Sequence, residues 1–214
     1  MANASSAPKT SPKVRVSFPT VFKPRMFAGQ QGDPKYSITM MFDKNNQEQM
    51  GFLREVMKDL ETALAQQWPD EAVRPRTPLV GETRSPIKDG DKTVNTNGIP
   101  LVEKNAEYAG HYILRASSTN KPVVVDANGQ DIIDSNEIYG GCFCKVNFTT
   151  YAFTSPQNKG VTFGLNGVQK VEDGESFGGG RMSKEDMFGA PGQNNPANYG
   201  GGLESSPAPD PLAG

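Results

Sequence analysis

The chain has two cysteines and one histidine among its 214 residues. Zinc takes about four nitrogen or sulfur ligands, and Cys142, Cys144 and His111 are too few to supply them. The cysteines stand two apart, which is not the CxxC spacing of a dithiol redox pair. On a strand they share one face, and they read as reduced, buried thiols packing as small apolar groups. No apolar run reaches the roughly 18 residues of a membrane-spanning helix, so no membrane partner is expected. MANASSAPKTSPK lacks the apolar centre of a signal peptide, which points to a reducing cytoplasm. GxSxG, Walker and HExxH patterns are absent, and His111 has no evident nucleophile beside it. No catalytic residue, metal site or cofactor is therefore assigned. Asp89/Asp91 and Asp131/Asp134 are carboxylate pairs in turn-like sequence, where Asp is ordinary. A metal-dependent nuclease using Asp89 and Asp91 is the enzymatic alternative.

Apolar residues are also scarce, at 35%, while 23 glycines and 17 prolines exceed ordinary usage. Part of the chain is thus expected to lie outside a packed domain. The net charge of −2 hides an asymmetry. Residues 1–170 hold 20 basic and 17 acidic side chains, and residues 171–214 hold 2 and 7. A basic body with an acidic tail points to a polyanionic partner.

Residues 1–12 are Ala/Ser/Pro-rich and read as disordered. VRVSFPTVF (14–22) alternates as a strand, with Val14, Val16 and Phe18 on one face. KYSITMMF (35–42) alternates with Tyr36, Ile38, Met40 and Phe42 on one side. Between 43 and 68, Leu53, Val56, Met57, Leu60 and Leu64 recur at helical spacing, with Asp43 a candidate cap and Trp68-Pro69 the stop. Residues 69–107 form a long polar, Pro-rich connection, a kind of loop that is often functional. Strands follow at 110–118, 122–126, 138–153 and 160–171, and Gly140-Gly141 predicts a bulge or sharp bend. The tail, 172–214, is low in apolar residues, with SKEDMF (183–188) a candidate helical turn. Five or six short strands and one amphipathic helix predict a mainly β protein, a small barrel capped by that helix.

In 138–153, IYGGCFCKVNFTTYAF, inward Cys142, Cys144, Val146 and Phe148 leave Phe143, Lys145, Asn147 and Thr149 facing outward. Tyr151 and Phe153 continue that second face. Rings beside cations on a sheet suit single-stranded nucleic acid, whose bases stack and whose phosphates need positive charge. Arg84, Lys88 and Lys92, in the exposed connection, are placed to reach phosphates. The bland alternative is that most of these rings are core.

GDPKYSITMMFDK, SPIKDGDK, EYAGHYILRASSTNKPVVVD, IYGGCFCKVNFTTYAF and GVTFGLNGVQKVEDGESFGGGR occur in that order. As an ordered set they resemble a family of single-stranded-DNA-binding proteins of tailed bacteriophages, over about residues 13–188. The resemblance implies an OB-fold over 13–171, work in phage replication or recombination in the host bacterial cytoplasm, and no catalysis. It also implies a flexible acidic tail over 172–214. Carried onto the basic and aromatic positions of the shared motifs, it places a DNA groove on Lys35, Arg84, Lys88, Lys92, Tyr112, Arg115, Lys121, Tyr139, Phe143, Lys145 and Tyr151. The implied partner is single-stranded DNA, with replication proteins as candidates through the tail; the sequence leaves double-stranded DNA open as a ligand of the same cations. Tails of such proteins commonly end in acids and a terminal aromatic. This one ends ESSPAPDPLAG, which leaves the acids at 172–186 as candidates to compete with DNA. The rival reading is a structural or assembly protein of a virion.

Overall fold

The computed structural model describes residues 3–26, 32–155 and 158–178. Among these described residues, eight strands occur in the order β1 (Lys9–Thr10), β2 (Val14–Arg25), β3 (Lys35–Asp43), β4 (Ile87–Asp89), β5 (His111–Ser118), β6 (Val123–Val125), β7 (Phe143–Thr154) and β8 (Lys159–Glu172). Five of them close a ring. β7 pairs β2, β2 pairs β3, β3 pairs β5, β5 pairs β8 and β8 returns to β7, with β5–β8 the one parallel step of that ring. This is the five-stranded Greek-key barrel of an OB-fold, with β3 and β5 as its second and third strands.

Alternation fills the barrel. Val14, Val16, Ile38, Met40, Phe42, Leu114, Ala116, Val146, Phe148, Phe163 and Leu165 point into one buried core. Cys142 and Cys144 join them, with their Sγ atoms 3.6 Å apart. Helix α1 (Gln47–Gln67) caps this core with buried Leu53, Val56, Leu60 and Ala63. Asn46, rather than Asp43, caps the helix, accepting a hydrogen bond from Gln49 N. Gln49 itself ties the helix to the barrel, since its side chain accepts from Asp43 N and donates to Lys13 O. Phe52 of the helix stacks on Phe42 and meets Phe148 edge-on, and Phe148 meets Phe163 edge-on. Burying such aromatic pairs supplies both area and geometry to the core.

Three further expectations change. The N-terminal stretch expected to be disordered pairs with β7 instead. Ser5 bridges Tyr151, Lys9–Thr10 form β1, and Lys9 reaches Glu55 and Asp59 of α1. Short as it is, the segment finds backbone partners on an otherwise open edge and ion pairs on the helix. Phe18 leaves the face it was expected to share with Val14 and Val16. The β2–β3 register slips between Ser17 and Thr20, and Phe18 is 58% exposed. The connection between α1 and β5 is also not bare. It contains β4, the four-residue helix α2 (Leu101–Lys104) and a 3-10 turn at Ala106–Tyr108.

Of the expected tail, residues 172–178 are described, and they dock on the barrel. Tyr139 donates to Gly174 O and Asp173 Oδ1, Arg15 donates to Glu175 O, and Arg15 lies 4.3 Å from the Phe177 ring centre. The remainder of the tail, SKEDMF included, lies outside the described residues.

Candidate nucleic-acid interface

The outer face of β3 and β5 carries Ser37, Thr39 and Met41 opposite Ser117, Arg115 and Ile113. β4 adds Lys88, paired with Ile113. A second apolar cluster forms on this face, where Met41, Tyr108 and Ile113 pack with Leu101 and Phe177. The connection before β5 thus lays Leu101 and Tyr108 on the outside of the barrel. Tyr108 is held there by its hydroxyl, which meets Ser17 and Thr39, and burial pushes its pKa up to about 12. It stays neutral at any physiological pH.

Two hollows share this face. One, of about 360 Å³, is lined by Phe18, Thr39, Pro86, Lys88, Tyr108, Ile113 and Arg115, among others. The second, of about 390 Å³, is lined by Lys35, Arg84, Pro86, Lys88, Arg115, Ser117, Phe153 and Thr162, among others. Lys88, Arg115 and Pro86 belong to both, so the two make one groove. Among its described lining residues are four cations and no Asp or Glu. Lys88 is held below the usual lysine pKa, first by partial burial and then by the positive charge of Arg115. Arg115 donates to Ser37 Oγ at 3.0 Å.

The loop that presents Arg84 and Lys88 is braced by its own polar groups. Thr93 Oγ1 donates to Gly81 O and accepts from Asp89 N, Thr83 Oγ1 donates to Val94 O, and Ser85 Oγ accepts from Glu82 N. Asp89 and Asp91 bind Lys44 at 2.6 and 2.7 Å and cap nearby backbone N–H groups. They serve as loop staples. Among the described residues no cluster of three or more His, Cys, Asp or Glu is placed to hold a metal.

Of the eleven positions named from sequence, Lys35, Arg84, Lys88 and Arg115 come together in the groove. The other seven do not line it. Lys92 is exposed on the turn after β4, and Lys121 is exposed between β5 and β6. Tyr112 points to the core side, with Lys44 4.9 Å from its ring centre. Tyr139 is held by the docked segment after β8, and Phe143 lies under Lys13 and Arg15. Lys145 lines a separate open hollow of about 450 Å³ with Asn147, Asn166 and Val123. Tyr151 lies on the outer face of β7, its ring over Gly164, beside the groove residue Thr162. Phe18, Tyr108 and Phe153 line the groove but were not among the eleven. Phe153 had a readable signal, since it continues the outward alternation of Tyr151. Phe18 had none, because a bulge places it, whereas Tyr108 stands in the motif EYAGHYILRASSTNKPVVVD but reaches this face by a loop excursion that strand alternation does not predict.

Residues 9–198 match the family described as the ssDNA-binding protein of Enterobacter phage Enc34. The chain belongs to this family of phage single-stranded-DNA-binding proteins. A curated relative is the putative protein p50 of Acyrthosiphon pisum secondary endosymbiont phage 1, 25% identical over 178 residues, covering 82% of this chain and 89% of that one. The single-stranded DNA-binding protein of bacteriophage Enc34, solved in complex with ssDNA, has the same fold. Its TM-score is 0.62 at 23% identity, over 80% of this chain and 89% of that chain. The bacteriophage T7 single-stranded DNA-binding protein gp2.5 is similar at a TM-score of 0.53 and 16% identity, over 81% of this chain and 96% of the other. The family is a binding family, not a catalytic one.

Proposed function

We propose that this chain binds single-stranded DNA along the groove on the outer face of β3 and β5. The observation that carries the reading is the convergence of Lys35, Arg84, Lys88 and Arg115 around an apolar floor on that face. This is the face with which OB barrels take oligonucleotides. Cations hold phosphates and rings accept bases, so recognition depends little on sequence. Membership of the phage family supports the same reading. The work fitted to such a groove is protection of transient single strands and removal of hairpins during phage DNA synthesis or recombination, in the host bacterial cytoplasm. Duplex DNA is a weaker ligand through the same cations. Replication proteins are candidate partners of the acidic tail.

Fluorescence anisotropy of a labelled oligo-dT, titrated at several salt concentrations beside a duplex control, tests the proposal. Tight, salt-sensitive binding of the single strand is expected, with a log–log slope of about −0.7 per neutralised phosphate. Wild-type affinity in a Lys88→Ala/Arg115→Ala double variant would move the site elsewhere. Absence of binding at low salt would leave the virion-protein reading.

A further inference from the structure

We infer that Phe18 is a base-stacking residue, held outside the barrel by a strained bulge, and that it favours single strands over duplex; this rests on the groove binding single-stranded DNA. Three observations converge on it. Phe18 has φ 46°, and no other non-glycine residue among those described has a positive φ. It sits where β2 spends three residue steps, Ser17 to Thr20, against two of β3, Thr39 to Ser37. One residue is therefore extra. In bulges of the kind that use a left-handed residue, that residue is normally glycine, and for a bulky side chain the conformation is an outlier. Pro19, which cannot donate to the ladder, suits a bulge. The second observation is that the ring is 58% exposed, although simple alternation would have buried it beside Val14 and Val16. The third is that it lines the hollow that also holds Lys88, Arg115 and Tyr108.

Backbone strain and an exposed apolar ring both disfavour the free protein. Strained residues cluster where they serve a ligand. The ligand that fits here has a flat apolar face joined to a nearby anion, because the cations stand in the same hollow. An unstacked nucleotide has that form. A base inside a duplex has its faces covered, so the ring engages only single strands.

The test is Phe18→Gly, with Phe18→Trp and Phe18→Leu beside it. Glycine suits the backbone, so its melting temperature is expected at or above that of the parent. Its affinity for oligo-dT should fall roughly 5- to 150-fold, the range for losing one stacked base. Duplex affinity and the salt slope should not move. Trp should keep the affinity, while Leu, apolar but without a flat π face, should lose most of it. Parental oligo-dT affinity in Phe18→Gly, or an equal loss on duplex, would overturn the role of Phe18. If that occurs while Lys88→Ala/Arg115→Ala weakens binding, the groove reading stands and only Phe18 falls. If both variants bind like the parent, the groove itself is wrong.

Discussion

Arg115 Nη2 lies 3.0 Å from Ser37 Oγ, across the paired strands β3 and β5. Ser37 is in turn bound by Thr20, whose Oγ1 is 3.0 Å from both its hydroxyl and its backbone N. The guanidinium is thus oriented by a buried serine. Arg115→Ala should remove one phosphate contact, weaken oligo-dT binding and reduce the salt slope by about 0.7. Ser37→Ala keeps the charge and loses the orientation. It should cost a few-fold in affinity, about 1 kcal/mol for one hydrogen bond, with the slope unchanged. Anisotropy titrations over a range of KCl separate the two effects.

Lys88 is a lysine whose protonation the groove disfavours, through burial first and Arg115 second. For a lysine with its folded pKa below its unfolded value, the folding penalty is fully present below the folded pKa. It fades as pH rises toward the ordinary lysine value. Lys88→Met should therefore raise the melting temperature at neutral pH and weaken DNA binding. A bound phosphate favours the charged form, so affinity should decline as alkaline pH discharges Lys88. Lys88→Arg should reduce that decline, leaving the part due to Lys35. Lys92, exposed away from the groove, should add little, so Lys88→Ala and Lys88→Ala/Lys92→Ala should bind alike. A much weaker double variant would return Lys92 to the site.

What the sequence disclosed was set by short-range periodicity. Alternation in KYSITMMF and helical spacing over Leu53, Val56, Leu60 and Leu64 follow from local geometry, and both elements appear. Arg115 was legible because His111, Ile113 and Arg115 alternate against Tyr112 and Leu114. Phe18 was misassigned because one inserted residue at a bulge inverts the face of a side chain, and composition does not announce it. Tyr139 and Phe143 were drawn into the groove because they resemble exposed rings next to cations. Those cations are Lys170 for Tyr139 and Lys13 and Arg15 for Phe143, and they belong to the docking of residues 172–178. Long-range pairing of that kind leaves no trace in local pattern.

Lys44 joins Asp89 and Asp91 at the base of the loop that carries Lys88. The Asp91 carboxyl is held below the usual range, first by Lys44 and then by the N–H of Gly110. A depressed carboxylate contributes stability above its unfolded pKa, and that contribution is lost as pH falls through the folded pKa. Lys44→Met should flatten this acid limb in melts taken from neutral pH to below pH ~4. At neutral pH it should cost about 1–2 kcal/mol. That is less than a fully buried pair would lose, because Lys44 and Asp91 are partly exposed. An acid limb identical to the parent's would mean that the staple carries none of it.

Gly90 lies where the β4 turn passes under the segment carrying Tyr108. A Cβ built there would stand 2.1 Å from Tyr108 O and 2.9 Å from His111 O. Both are backbone atoms, so no side-chain rotation relieves the clash, and the turn at Ala106–Tyr108 must move. Moving it lifts the Tyr108 ring off Met41 and Ile113 and draws its hydroxyl away from Ser17 and Thr39. Gly90→Ala should therefore cost about 2–3 kcal/mol of stability, the upper part of the range for overpacking. Well below its melting temperature it should also bind oligo-dT several-fold more weakly, although residue 90 does not line the groove. Tyr108→Phe, which keeps the ring and drops the hydroxyl, separates floor from anchor. If the ring supplies the floor, Tyr108→Phe should lose stability but keep most of its affinity. Equal affinity losses in the two variants would assign the effect to the hydroxyl instead.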